Sequence, residues 1–133
     1  MRLARIGFDA VAGEVADIEA VLSAHPELAA AARRLPAADV AEWLAEEPDL
    51  QIVDVRNPGE TNVGGTVPGA RIVPLPQLLD RLDELDPTKP TVVYCAGGYR
   101  SSVAASTLRA HGFTAVADII GGYGTWASSA NTD

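Results

Sequence analysis

Residues 91–102 read TVVYCAGGYRSS, and this stretch decides the fold. Its first four residues are β-branched or aromatic and predict a short buried strand, which leads to Cys95, the only cysteine of the chain. A Gly-rich turn follows, and a helical pattern begins after it. Backbone N–H groups and the helix dipole concentrate positive potential at such a junction. That environment favours the thiolate, which is the nucleophilic form of cysteine.

A plainer interpretation of Cys95 is also open, because most free cysteines in proteins are small buried hydrophobic residues. The Gly97-Gly98 turn and the helix after it favour the reactive interpretation, since they would supply a ring of amides around the sulfur. We therefore predict that Cys95 is a nucleophile.

The composition is that of one ordinary globular domain, with 133 residues of which 47% are hydrophobic and 21% charged. A formal charge of -8 would repel nucleic acid and anionic lipid, so any anion site must be local. A single cysteine excludes an intramolecular disulfide and suits a reducing compartment. No apolar run approaches the ~20 residues of a membrane span, and no secretory signal is visible. We expect a cytoplasmic protein.

Strand-like and helix-like segments alternate along the chain. The predicted strands are residues 51–55, 70–73, 91–94 and 115–118. The predicted helices are residues 37–45, a leucine stripe at 75–85, a helix that Gly112 ends and a short closing helix after 121. Turns are predicted at 57–59 and 64–69. This alternation implies an α/β fold, with an open parallel sheet covered by helices on both faces and the leucine stripe in the core.

In open parallel sheets, ligands bind beyond the carboxyl ends of the strands. Cys95 lies at such an end, and so do Asp54 and Arg56, which could converge on the same crevice. A structural ion pair between Asp54 and Arg56 is the alternative to a direct catalytic role. We do not expect His25 or His111 to act as a base, because His25 flanks a helix and His111 would cap one.

Four ordered motifs together resemble the rhodanese (sulfurtransferase) domain. They read VDVRNPGE at 53–60, VPGA at 67–70, VVYCAGGYRSS at 92–102 and GGYGTW at 121–126, and they span about residues 35–127. The resemblance implies that Cys95 takes a sulfane sulfur as a persulfide and passes it to cyanide, a thiol or another protein's cysteine. The implied substrate-binding loop is Ala96, Gly97, Gly98, Tyr99, Arg100 and Ser101, with Asp54 and Arg56 in supporting positions.

Four residues lie between Cys95 and Arg100, as in the sulfurtransferases, whereas the related phosphatase and arsenate-reductase loops carry one more. The resemblance therefore favours sulfur transfer. Arg100 would either meet an anionic sulfur donor or only line the pocket mouth, and both roles stay open. Glu60 stands where the tandem-domain thiosulfate enzymes have a second arginine. A low-molecular-weight persulfide or a protein partner is thus favoured over thiosulfate as the donor.

Residues 3–12 repeat the pattern of residues 108–117, with Gly-Phe and Ala-Val-Ala in the same register. The combination is similar to the carboxyl-terminal portion of proteins that fuse a metallo-β-lactamase-fold persulfide dioxygenase to rhodanese units. The chain would then be a fragment, with residues 1–34 as a helical lead-in and residues 35–133 as the rhodanese domain. The apolar side chains of the lead-in predict that it is ordered, helical from Val15 to Leu22, and packed against the core or a second copy.

We therefore predict a rhodanese-type sulfurtransferase that needs no cofactor. No metal is expected, because neither His25 nor His111 belongs to a His/Asp cluster. The predicted partners are a small sulfur donor, a thiol or cyanide acceptor, a persulfide dioxygenase domain and a second copy in a homodimer. Neither nucleic acid nor a membrane is expected as a partner. The alternative function is a weakly catalytic sulfur-relay or docking module for a partner persulfide dioxygenase domain.

Overall fold

Five parallel strands form one sheet in the order β1-β5-β4-β2-β3 in a computed structural model that describes residues 10–130. The strands are β1 Arg33–Leu35, β2 Gln51–Asp54, β3 Arg71–Ile72, β4 Thr91–Tyr94 and β5 Val116–Ile119. The α-helices are α1 Ile18–Ala24, α2 Ala37–Glu46, α3 Pro58–Gly64, α4 Tyr99–Ala110 and α5 Gly122–Ala130. Short 3-10 segments occupy Pro26–Leu28, Leu75–Gln77 and Leu79–Glu84. The predicted parallel α/β fold is confirmed.

The sheet separates two hydrophobic cores. On one face the buried side chains of α4 and of the segment 75–85 pack against it, and on the other face α2 and α5 do so. Alternate residues of β4 enter opposite cores, as the pleat of a strand requires. Val93 and Cys95 belong to the α4 side, whereas Val92 and Tyr94 belong to the α2 side. The strand pattern therefore continues into Cys95 and turns its side chain toward α4.

The predicted turn at residues 57–59 is wrong, because this segment starts α3. Pro58 occupies the first turn of the helix, where its missing N–H costs little. Asn57 and Glu60 form a capping box, in which the Asn57 side chain accepts from the Glu60 N–H and the Asn57 N–H donates to Glu60 Oε2 at 3.1 Å. The sequence therefore holds a helix start where a turn was expected.

The leucine stripe is only partly in the core. Leu75, Leu78 and Leu85 are buried, but Leu79 is 51% exposed. The segment forms two 3-10 pieces rather than one α-helix, and Arg81 breaks the second with a non-helical backbone. A three-residue repeat places Leu75 and Leu78 on the same side and turns Leu79 outward.

The lead-in forms a helix, but one that starts later than predicted. Asp17 caps α1 by accepting a hydrogen bond from the Ala20 N–H at 2.9 Å. No residue of α1 is buried, and Ile18 is 54% exposed. The prediction that this helix is buried against the core is therefore wrong. Its packing against a second copy stays a prediction. The first half of the internal repeat lies largely outside the described residues.

The sheet begins inside the segment that was assigned to the lead-in, since β1 starts at Arg33. Among residues 10–130, no helix combines the length and the apolar character that a membrane crossing requires. Within the same residues no group of three His, Cys, Asp or Glu side chains is arranged to hold a metal ion.

Candidate active site

Cys95 follows β4, which lies in the middle of the sheet, and its side chain is almost completely buried. The Gly98 N–H donates a hydrogen bond to Cys95 Sγ at 3.1 Å, and Ser101 Oγ lies 3.6 Å from Sγ. Gly98 is the N-cap of α4 and has a φ of 100°, a left-handed conformation that suits glycine. The loop therefore turns back on itself and directs polar hydrogens at the sulfur.

Two opposing effects act on the pKa of the Cys95 thiol. Burial raises it, but hydrogen bonds from Ser101 and from the amides of Gly98 and Gly97 lower it, and the net shift of the pKa is downward. Because these donors point at the sulfur in a site screened from water, they stabilise a thiolate and equally the anion of a persulfide. The loop therefore favours the anionic form of the sulfur, which is the nucleophilic one.

Arg100 belongs to the first turn of α4, beside the Cys95 loop, and forms an ion pair with a side chain of α3. Its Nη1 and Nη2 atoms donate to the two carboxylate oxygens of Glu60 in α3, at 2.6 and 2.7 Å. This hydrogen-bonded pairing lowers the pKa of Glu60 and raises that of Arg100, with a smaller contribution from Cys95 to the Arg100 pKa. Arg100 is therefore near the sulfur, but both of its terminal nitrogens are hydrogen-bonded to Glu60.

Asp54 and Arg56 form a buried ion pair. Arg56 Nη2 donates to Asp54 Oδ2 at 2.6 Å and also to the Gly65 carbonyl at 2.6 Å. Burial lowers the pKa of Arg56, but the bonds to Asp54 outweigh it and the net shift of the pKa is upward. These bonds join β2 to the end of α3, so the geometry matches the structural interpretation of the pair, and any effect on Cys95 is indirect.

The amino end of α5 forms hydrogen bonds with the backbone of the Cys95 loop, a contact that the sequence analysis did not predict. The Tyr123 N–H donates to the Cys95 carbonyl at 2.7 Å, and the Gly124 N–H donates to the Ala96 carbonyl at 3.4 Å. A Cβ atom at Gly122 would collide with the Cys95 carbonyl oxygen, and Gly122 has a φ of 62°. The glycines of the closing motif were visible in the sequence and indicate this close backbone approach.

Tyr123 connects the loop to the buried ion pair. Its ring lies 4.0 Å from the guanidinium carbon of Arg56 and stacks on Tyr94 with ring centroids 6.1 Å apart. Its hydroxyl donates to the Gly64 carbonyl at 2.5 Å. One side chain therefore contacts β4, α3 and the Asp54–Arg56 pair, while its backbone supports Cys95.

The sequence interpretation also missed Arg34, which it assigned to the lead-in. Arg34 Nη2 donates to Asp118 Oδ2 at 2.9 Å, and Asp118 is buried in β5. A buried carboxylate needs a partner, so the acidic residue in a predicted strand was the available signal.

The two histidines lie where the sequence predicts. His25 flanks α1 and contacts Glu27 Oε1 at 3.0 Å on the surface. His111 caps the carboxyl end of α4, with Nδ1 2.8 Å from the Thr107 carbonyl. Neither residue contributes a contact to the Cys95 loop in the described part of the chain.

The fold and the site define a class of parallel α/β domains that carry a cysteine in a loop between a strand and a helix. The family model of the rhodanese-like domain matches residues 36–129. The chain therefore belongs to the rhodanese-like domain family.

Relatives and a solved structure resemble the chain over most of its length. The chain is 43% identical over 85 residues to the uncharacterized protein YqhL of Bacillus subtilis, which covers 64% of this chain and 67% of that protein. It is 32% identical over 88 residues to a sulfurtransferase of Allochromatium vinosum, which covers 66% of this chain and 81% of the relative. A structure from Rhodopseudomonas palustris, described as a possible tyrosine phosphatase, superimposes with a TM-score of 0.67 at 29% identity, covering 91% and 97% of the two chains.

Other relatives are larger proteins. The tRNA uridine(34) hydroxylase of Pectobacterium atrosepticum is 36% identical over 100 residues, which represent 70% of this chain but only 28% of that enzyme. Domains of this kind therefore also occur as parts of longer chains.

Proposed function

We propose that this protein is a sulfurtransferase that carries a sulfane sulfur as a persulfide on Cys95. The observation that carries the proposal is the contact between the Gly98 N–H and Cys95 Sγ at 3.1 Å, within a loop that lowers the pKa of the thiol. Amides that face the sulfur can stabilise the negative charge of both the thiolate and the persulfide. The membership of the rhodanese-like family supports the same chemistry.

In the first step the Cys95 thiolate attacks the outer sulfur of the donor. A new S–S bond forms on Cys95 while the S–S bond of the donor breaks, and its electron pair leaves with sulfite or with a thiolate. In the second step cyanide or an acceptor thiolate attacks the terminal sulfur, and the electron pair of the broken S–S bond returns to Cys95. No external oxidant or cofactor takes part, and a reducing compartment such as the cytoplasm would keep Cys95 as a free thiol.

The pairing of Arg100 with Glu60 supports a persulfide donor over thiosulfate. A dianion gains most from an unpaired cation, whereas both terminal nitrogens of Arg100 are already bound to a carboxylate. A thiol-linked persulfide carries less charge and depends less on that cation. We expect the protein to accept sulfur from small persulfides faster than from thiosulfate.

The test is the intact mass of the protein after exposure to thiosulfate and, separately, to glutathione persulfide. The wild type should gain one sulfur atom and then lose it to cyanide as thiocyanate. Cys95→Ser should show neither step, and it is a close control because only the sulfur atom is replaced. Thiocyanate formation by the serine variant at the wild-type rate would contradict the assignment of the nucleophile.

A sulfur-relay or docking module is the second candidate. The large relatives favour it, since a domain that makes up 28% of a longer enzyme can serve the rest of that chain without fast turnover of its own. A metallo-β-lactamase-fold persulfide dioxygenase stays our predicted neighbour. Normal sulfur loading of Cys95 with slow thiocyanate release would distinguish this module from an independent enzyme.

A phosphatase is less consistent with the loop, even though one structural neighbour is described as a possible tyrosine phosphatase. Only four residues separate Cys95 from Arg100, and the Gly98 amide already lies 3.1 Å from the sulfur. A ring of this size suits a single added sulfur. Hydrolysis of p-nitrophenyl phosphate by the wild type, lost in Cys95→Ser, would favour the phosphatase instead.

A further inference from the structure

A third arginine, Arg34, lies beside the Cys95 loop, although it belongs to the first strand of the sheet. A Cβ atom placed on Gly98 would lie 3.4 Å from Arg34 Nη2. The Gly98 N–H donates to Cys95 Sγ. One backbone residue therefore separates the Arg34 guanidinium from the reactive sulfur.

Arg34 is anchored on one edge and open on the other. Its Nε and Nη2 atoms donate to the Asp118 carboxylate at 2.9 to 3.2 Å, and the Asp118 side chain is only 1% exposed. The Arg34 side chain is 47% exposed, and none of its hydrogen bonds to other residues in 10–130 uses Nη1. A guanidinium presents five N–H donors in a planar fork, so the N–H groups on Nη1 can bind a carboxylate that arrives from solvent.

Within the described residues, two other arginines near the loop are less available to a ligand. Arg56 is buried and bound to Asp54 and to the Gly65 carbonyl. Arg100 has both terminal nitrogens on Glu60. Among the arginines beside the loop in residues 10–130, Arg34 is the one that combines a half-exposed side chain with a terminal nitrogen outside its ion pair.

Two exposed side chains with apolar surface lie in the same part of the fold as Arg34. Tyr99, next to Gly98, is 65% exposed, and Ile120 is 45% exposed. The Ile120 N–H donates to the Leu35 carbonyl at 2.9 Å, which places Ile120 against the end of β1. A cation close to exposed apolar surface suits a small organic ligand that has both a carboxylate and a carbon skeleton.

The distances suit a short thiol peptide. One or two residues of extended chain span ~3.5–7 Å, which is enough to join a sulfur at Cys95 to a carboxylate on the far side of Gly98. The formal charge of -8 repels such a donor at long range, so a preference for carboxylates requires a local cation.

We infer that Arg34 positions the sulfur carrier by binding its carboxylate, so that the site prefers persulfides of carboxylate-bearing thiols. This inference rests on the proposed transfer of sulfur through Cys95, and it names the substrate class of that same site. Arg34 takes part in no bond change and acts on the binding of the donor.

The test compares glutathione persulfide with the persulfide of glutathione diethyl ester, in which both carboxylates are blocked. The readout is kcat/KM for sulfur loading onto Cys95. The wild type should prefer the free acid by roughly three- to tenfold, mainly through KM, as expected for a half-exposed charged contact. Arg34→Gln should abolish the preference.

Arg33→Gln is the matched control. Arg33 is the neighbouring residue of β1, its guanidinium carbon lies 4.4 Å from the ring centroid of Trp43, and its replacement removes the same charge. This variant should keep the preference, because successive side chains of a strand point to opposite faces. A preference lost equally in both variants would overturn the inference, since only the net charge would then matter.

Arg34→Gln leaves the buried Asp118 without its partner and could unfold the protein. The double variant Arg34→Gln/Asp118→Asn replaces the ion pair by two neutral amides and avoids the buried unpaired charge. It should also lose the donor preference. If the wild type loads sulfur equally well from the acid and the ester, the inference about Arg34 is wrong and the proposed function stands. If the wild type loads from neither donor, the proposed function fails as well.

Discussion

At Cys95 the Ser101 hydroxyl and the Gly98 amide both contact the sulfur. Ser101 Oγ lies 3.6 Å from Sγ and donates to the Gly98 carbonyl at 3.2 Å, so its hydroxyl can turn toward the sulfur when the thiolate forms. Because Ser101 lowers the pKa of Cys95, its removal must raise that pKa and reduce the thiolate fraction at neutral pH.

Ser101→Ala should therefore slow the alkylation of Cys95 by iodoacetamide at pH 7 by roughly fivefold, which corresponds to ~1 kcal/mol for one hydrogen bond. The midpoint of the rate against pH should move to higher pH. Ser102→Ala is the control, because the exposed Ser102 hydroxyl donates to the Tyr99 carbonyl and not to the sulfur. A midpoint unchanged in Ser101→Ala would leave the backbone amides as the only source of the lowered pKa.

Helix α3 contacts the loop through Glu60, whose ion pair with Arg100 partly neutralises the positive charge near an incoming donor. Glu60→Gln should free Arg100 and raise kcat/KM for thiosulfate by roughly fivefold, while Arg100→Ala should lower it more than it lowers the value for a persulfide. Glu46→Gln, which removes an exposed carboxylate from α2, controls for net charge. Thiosulfate rates that rise equally in Glu60→Gln and Glu46→Gln would contradict a local role for the pair.

The contact between α5 and the loop depends on a residue without a side chain. Gly122→Ala should lower the free energy of unfolding by about 2–4 kcal/mol, because its Cβ meets the Cys95 carbonyl and its φ of 62° disfavours other residues. Urea denaturation measures this loss. Gly59→Ala is the control, since a Cβ there meets no atom within 4 Å. Similar stability of the two variants would show that α5 can move away from the loop without cost.

The helical part of the lead-in ends at Leu28, and the first strand of the sheet begins at Arg33. The boundary between lead-in and domain therefore falls between these two residues. Deleting residues 1–28 should leave the melting temperature and the sulfur loading of Cys95 unchanged, because none of the described side chains of α1 is buried. Sedimentation should then show less self-association, since Val15, Ile18 and Leu28 are exposed apolar side chains.

Deleting residues 1–35 should instead destabilise the protein strongly. This deletion removes β1, uncovers β5 and leaves the buried Asp118 without Arg34. A protein that melts at the same temperature after either deletion would contradict the boundary. Because β1 pairs with β5, we expect the domain to begin before residue 35.

The parts of the fold that sequence patterns predict are local. The strand before Cys95, the turn and the helix follow one another within residues 91–110, so period and turn chemistry identify them. Proline is common in turns and also suits the first turn of a helix, so Pro58 alone does not distinguish the two structures. Leu79 fitted a helical stripe, but the 3-10 geometry of its segment turned it outward.

The contacts that sequence patterns miss join residues far apart in the chain. Arg34 and Gly98 become neighbours because β1 pairs with β5 rather than with the next strand in sequence. Tyr123 supports Cys95 through its backbone N–H, and its residue type gives no sign of that bond. The glycines of the closing motif indicate a close approach but not its partner, so the topology is needed to identify both contacts.

The support that α5 gives to the loop has a consequence during synthesis on the ribosome. The Cys95 and Ala96 carbonyls bind N–H groups of Tyr123 and Gly124, which are translated only after α4 and β5. Because chains are made from the amino end, the nascent protein exposes Cys95 before the loop can be completed. The loop around Cys95 therefore gains the backbone support of α5 only when synthesis of the domain is nearly finished.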